Sequence, residues 1–98
     1  MSRLVLVRPE AERDLAAARA WYEQKRAGLG DEFLDDVAWA MRVLERNPEL
    51  ARFYYRNFQR VLLRRFPYKV FYQVSGERVV VFRVLHAKQA HESGLGEK

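Results

Sequence analysis

His86 ends a run of β-branched and aromatic residues, and Arg64, Arg65, Lys69, Arg78 and Arg83 are spread through the stretch before it. Metal-independent RNA cleavage needs a base for the 2′-hydroxyl, an acid for the leaving oxygen and cations on the pentacoordinate phosphate. The residue types are present: His86 as base or acid, with Arg65, Lys69 and Arg83 as charge stabilisers. Their placement is less favourable, because in a regular last strand Arg83 and His86 point to opposite faces. No carboxylate is placed near them along the chain. The same stretch reads as a basic docking surface, in which His86, beside Tyr68 of the neighbouring strand, simply hydrogen-bonds a backbone carbonyl.

Other groups of residues carry weaker chemical signals. Asp31, Glu32, Asp35 and Asp36 resemble a metal cluster, but at a helix N-terminus they read as surface carboxylates that complement the helix dipole. Phe53, Tyr54, Tyr55 and Phe58, mixed with Arg52 and Arg56, form an aromatic–basic set suited to stacking on bases, or to a loop packed over the helix ends. Trp21 and Tyr22 continue an apolar helical stripe and read as core, whereas Trp39 falls off its stripe and reads as exposed, part of an interface. With no cysteine and two histidines, the chain lacks disulfides and thiolate ligands, so no metal site and no cofactor are expected.

Six elements position these residues. Arg3 to Arg8 reads as a short strand. Pro9 suits the first turn of a helix, with Glu10, Glu12 and Asp14 complementing its N-terminus and Ala11, Leu15, Ala18 and Tyr22 forming its apolar stripe. Gly28-Leu29-Gly30 interrupts that helix, and Asp31 is the expected N-cap of a second, whose stripe is Phe33, Val37, Met41 and Leu44. Asn47-Pro48 stops it, since a residue before proline is pushed out of the α region. Arg60 to Phe66, Tyr68 to Val74 and Val79 to Leu85 read as strands, and Gly76 supplies the positive φ of a tight hairpin. The fold class is therefore α+β in the order β-αα-βββ, an N-terminal helical hairpin packed on a mostly antiparallel sheet. The hairpin covers one sheet face, leaving the other for a partner.

The 98 residues suit a single domain, with 91–98 as a frayed tail. No apolar run approaches the roughly 20 residues of a membrane helix, and Met1 to Val7 lacks a secretory layout, which fits a cytoplasmic protein. Charge divides unevenly: residues 1–50 hold 8 Lys/Arg against 10 Asp/Glu, and residues 51–98 hold 10 against 3. A near-neutral helical half and a strongly basic sheet half point to an anionic partner, either phosphate backbone or an acidic protein segment.

Several short motifs, in order, resemble the RelE/ParE superfamily of type II toxin–antitoxin toxins, and its ParE-like branch in particular. They are Ala11-x-x-Asp14-Leu15, Trp21-Tyr22-Glu23, Gly28-Leu29-Gly30-x-x-Phe33, Asn47-Pro48, Arg64-Arg65-Phe66-Pro67-Tyr68-x-Val70-x-Tyr72 and Val84-Leu85-His86-Ala87. The resemblance implies a toxin neutralised by a cognate, ParD-like antitoxin whose acidic C-terminal segment wraps the helical hairpin and the sheet. It implies DNA gyrase as target, inhibited by binding, with Arg60, Arg64, Arg65, Lys69 and Arg83 as binding residues and His86 orienting the strand end. A RelE-like relative would instead be an mRNA interferase acting on RNA or the ribosome, with His86, Arg65 and Arg83 as catalytic residues. A third alternative is a non-toxic relative that only binds antitoxin. The family often follows the strand-ending histidine with a basic pair and an aspartate; here Ala87-Lys88-Gln89-Ala90 follows, and no tyrosine occurs after Tyr72.

Overall fold

In the computed structural model, which describes residues 3–50, 53–55 and 57–88, both apolar stripes become helices and the β-rich runs join one sheet. The elements are β1 (Leu4–Val7), α1 (Pro9–Lys25), α2 (Leu29–Arg46), a 3-10 turn at Pro48–Leu50, β2 (Phe53–Tyr55), β3 (Phe58–Leu62), β4 (Tyr68–Ser75) and β5 (Arg78–His86). The sheet order is β1-β5-β4-β3-β2. β1 runs parallel to β5, and the other three pairings are antiparallel. The α+β order, helical hairpin and mostly antiparallel sheet are as the sequence indicates. One further strand appears, because Phe53–Tyr55 pairs with β3. The run expected over Arg60 to Phe66 instead starts at Phe58 and ends at Leu62. The aromatic–basic reading of Arg52, Tyr54, Tyr55 and Arg56, and the expected fraying of 91–98, concern side chains or segments outside the described residues.

α1 buries Ala11 and Ala18 against the sheet, and α2 buries Phe33, Val37, Ala40 and Leu44. These meet Val70 and Tyr72 of β4 and Val79, Val81 and Val84 of β5 in the main core. Gly30 lies where the two helices approach, since a Cβ there would stand 2.8 Å from the Arg19 carbonyl oxygen. The expected Asp31 cap is replaced by a different device. Helix α2 starts at Leu29, and Gly28 adopts φ 90° to reverse the chain. Glu23 of α1 then accepts the N–H groups of Gly28 and Gly30, both at 2.9 Å. Those two bonds hold the Glu23 carboxyl below its ordinary range. Asp31, inside the first turn, pairs with Arg19.

Trp21 departs from the core reading: it is 53% exposed, with Tyr22 edge-on beneath it and the Lys25 ammonium 4.5 Å from its ring centroid. Trp39 departs the other way, half-buried against the core with the Arg64 guanidinium over its ring. The second sheet face is partly closed: Phe58, Phe71 and Leu85 form a small buried cluster there, with Phe82 packed on it. Leu4, Leu6 and Leu62, on the same face by register, are exposed.

Strand parity also changes within β5. The register with β4 shifts between Phe71 and Tyr72, so that Phe71 faces Arg83 while Tyr72 faces Val81, leaving Phe82 as the extra residue. The bulge reverses the alternation for the rest of the strand. Val84 joins Val79 and Val81 in the main core, while Phe82 and Leu85 lie with the second cluster.

Candidate functional site

Past Val81, β5 has no strand on the side occupied earlier by β1, since β1 pairs only with residues 78–81 and the chain then turns into α1. Asp14, on the first half of α1, fills that gap. Its Oδ2 accepts the Val84 N–H at 2.9 Å, the bond a neighbouring strand would otherwise make. The same carboxylate accepts Arg83 Nε at 2.7 Å on Oδ2 and Arg83 Nη2 at 2.9 Å on Oδ1. Arg83, emerging at the bulge, thus curls round the strand edge into a two-point ion pair. Asp14 raises the guanidinium above its ordinary range, chiefly through these hydrogen bonds.

The pair corrects one expectation: a carboxylate does lie beside Arg83, 69 positions away in sequence. The bulge falls before Arg83, and residues 83–86 pair regularly with 71–68, so Arg83 and His86 leave the strand on opposite faces as expected. Arg83 reaches Asp14 only by curling round the open strand edge.

Next to Asp14 a cleft of about 420 Å³ opens between α1 and the ends of β4 and β5. Asp14, Ala17, Ala18, Trp21 and Tyr22 line it from the helix, and Tyr68, Val84 and His86 line it from the sheet. The Tyr22 and Tyr68 hydroxyls interact, and burial raises both phenols above their ordinary range, Tyr68 further through Tyr22 and Asp14. His86 meets the Tyr68 ring edge-on at 5.2 Å. Its Nδ1 accepts the Lys88 N–H at 3.1 Å, so the expected carbonyl partner is joined or replaced here by an amide donor. A ring nitrogen that accepts carries no proton, which leaves the ring hydrogen of neutral His86 on Nε2.

The turn between β3 and β4 sets the other side of the cleft. Asp36, read from the sequence as a surface carboxylate, has a side chain only 1% exposed. It accepts the consecutive N–H groups of Arg64 (3.1 Å), Arg65 (2.7 Å) and Phe66 (3.1 Å). This anchors the Phe66-Pro67 turn, and the Pro67 carbonyl in turn accepts the Ala87 N–H at 2.8 Å. Asp36 therefore positions both Tyr68, at the start of β4, and the end of β5 that carries His86. Its helical phase, three residues after Phe33 and four before Ala40, marks the buried side of α2 and was the available signal.

The six predicted binding residues occupy three places. Arg83 and His86 flank the Asp14 cleft. Arg64 and Arg65 sit on the turn facing α2: Arg64 over Trp39, and Arg65 paired with Glu32 at 2.9 Å. That bond holds the Glu32 carboxyl below its ordinary range. Arg60 and Lys69 lie on the second sheet face, opposite Phe71 and Leu85 respectively. Burial, and then the Arg60 charge, lower the Lys69 ammonium. Asp31 pairs with Arg19, Glu32 with the Arg65 guanidinium, and Asp36 accepts backbone N–H groups of the turn; among the described residues no cluster of three His, Cys, Asp or Glu is placed to hold a metal ion.

A helical hairpin on one face of a five-stranded sheet, with its first strand parallel to its last, is a fold shared with chains of solved toxin–antitoxin systems. The structure is similar to a chain of the chromosomal ParDE system of P. aeruginosa, with a TM-score of 0.77 and 14% identity over 89% of this chain and 98% of that one. It is also similar to a chain of the RelBE2 toxin–antitoxin complex of Mycobacterium tuberculosis, with a TM-score of 0.64 and 24% identity over 88% and 99%. A sequence search of the curated proteins returns no match. The sequence matches the family described as the ParE toxin of the type II toxin–antitoxin system parDE over residues 5–91, and the chain belongs to that family.

Proposed function

We propose that this ParE-family toxin inhibits DNA gyrase, and so replication, by binding, and that a ParD-like antitoxin with an acidic C-terminal segment neutralises it in the cytoplasm. One observation favours binding over cleavage. Arg65 and Arg83, the cations an RNA-cleaving reading needs on the phosphate, are each held by a carboxylate of the helical hairpin, Glu32 and Asp14. The paired carboxylate offsets each guanidinium's charge and competes with a phosphate for it. The net charge of +5 supports an acidic antitoxin segment. In the test, purified toxin is added to gyrase supercoiling assays and to translating ribosomes, with and without antitoxin. Inhibited supercoiling, intact mRNA and relief by antitoxin are expected. Cleaved mRNA with normal supercoiling refutes the proposal.

A second reading, a RelE-like endoribonuclease, draws on the cleft, where His86, Tyr68 and the Asp14–Arg83 pair converge. Under that reading His86→Ala lowers the cleavage rate about 10²–10⁴-fold. Under the binding reading the same substitution lowers stability but not activity per folded molecule.

A further inference from the structure

We propose that the open edge of β1 pairs with the same edge of a second copy of this chain, joining the two sheets across a two-fold axis at Leu6. The inference concerns self-association alone and does not rest on gyrase as the target. Among the described residues β1 ends the sheet and pairs only with β5. The Leu4 and Arg8 N–H groups bond to the Glu77 and Val81 carbonyls on that side. Backbone groups alternate between the two edges of a strand, so those of Val5 and Val7 point away from β5. Arg3 points the same way, and the Glu45 carbonyl accepts its N–H at 2.9 Å. Among the described residues the outward N–H and C=O groups of Val5 and Val7 have no partner. An unpaired edge of this kind is a template for another strand.

Charge and symmetry select the occupant. The cations flanking the edge are matched within the chain, Arg3 by Glu49 and Arg8 by Glu10. The edge therefore presents little net charge to an acidic segment or a phosphate, and two copies meet there without strong repulsion. A two-fold axis pairs such an edge with itself, antiparallel. With the axis at Leu6, Val5 faces the partner's Val7, and every outward group of both residues is satisfied. An axis at Val5 sets Val7 against the partner's Arg3, whose N–H is already used. An axis at Val7 sets Val5 against the partner's Pro9, which has no N–H to give. The Leu6 axis also brings Leu6 beside the partner's Leu6 in the closer, non-hydrogen-bonded type of pair. It covers side chains that are otherwise 38% exposed at Leu6 and 59% exposed at Leu4. The paired stretch is short, so the dimer is a weak, reversible one.

Sedimentation equilibrium of the full chain is expected to show monomer passing to dimer at about 10–100 µM, with slower exchange of the Val5 and Val7 amides in the dimer. Leu6→Lys and Leu6→Glu each set like charges face to face across the axis and are expected to weaken association at least about 10-fold. An equimolar mixture of these two variants is expected to dimerise again, because opposite charges then meet. Leu62→Lys, on the same sheet face but on β3, is expected to leave association unchanged. Circular dichroism checks that the variants fold. A chain that stays monomeric up to about 1 mM overturns the proposal, including the case in which antitoxin takes up the edge instead. Association that Leu6→Lys leaves unchanged overturns it too, as does a mixture that fails to re-form the dimer.

Discussion

Removing the Asp14–Arg83 pair tests whether the bulged end of β5 depends on it. Asp14 accepts three hydrogen bonds, two of them from a guanidinium, and the two side chains are 15% and 26% exposed. A hydrogen bond to a charged group contributes about 1.5–3 kcal/mol, and breaking a buried pair by removing one partner costs about 3–5 kcal/mol. Partial exposure reduces both figures, so Asp14→Ala is expected to destabilise by about 2–4 kcal/mol. Arg83→Ala leaves Asp14 with its bond from Val84 and is expected to cost about 1–2 kcal/mol. The double variant then falls short of additivity by about 1–2 kcal/mol. Urea unfolding of the four proteins gives these values, and thermal unfolding should show a midpoint loss of about 4–8 °C per kcal/mol. A coupling below about 0.3 kcal/mol would mean the two residues act independently, and the account of the strand edge would be refuted.

Three further predictions concern the supports of the site and the core. Asp36→Ala leaves three consecutive N–H groups without their acceptor and is expected to cost about 3 kcal/mol in urea unfolding, with exchange broadening at Tyr68 and His86 in NMR spectra. Gly30→Ala drives a methyl against the Arg19 carbonyl and is expected to cost about 1–3 kcal/mol, with reduced helicity on heating. Tyr72, whose hydroxyl donates to the Pro48 carbonyl at 2.6 Å, is pushed up to about 12 by burial and then by Glu49. The folded state therefore holds the phenol proton more tightly than the unfolded chain does. The resulting stability is fully present below about pH 10 and is lost as pH rises toward about 12. Tyr72→Phe should lower stability by about 1 kcal/mol at pH 7 and flatten the alkaline decline, as followed by pH-dependent urea unfolding.

The elements were largely legible because their signals are local. Helical stripes, the Asn47-Pro48 stop and the Gly76 turn each lie within a few residues, and Gly76 does adopt positive φ, at 62°. The site was less legible because its key pairings are distant. Nothing near Arg83 announces Asp14, and nothing near Phe66 announces Asp36. The bulge is hidden for another reason. Residues 79–82, 84 and 85 are all apolar, so the strand has no polar–apolar alternation from which a one-residue slip could be detected. Trp21 misled because Tyr22, its neighbour, takes the inward position on the same turn.

The parallel pairing of β1 with β5 has a consequence for how this toxin comes into being. Leu4 and Arg78 are partners, as are Asp14 and Arg83, so almost the whole described chain is the loop that these contacts must close. Closing a loop of that length costs about 4 kcal/mol in chain entropy. The cleft cannot be completed by a partly made chain, because its Asp14 wall is translated 69 positions before Arg83, on the strand that forms the other wall. A nascent toxin therefore lacks its finished surface until β5 is available, and interrupted synthesis yields an incomplete sheet instead of a weaker toxin.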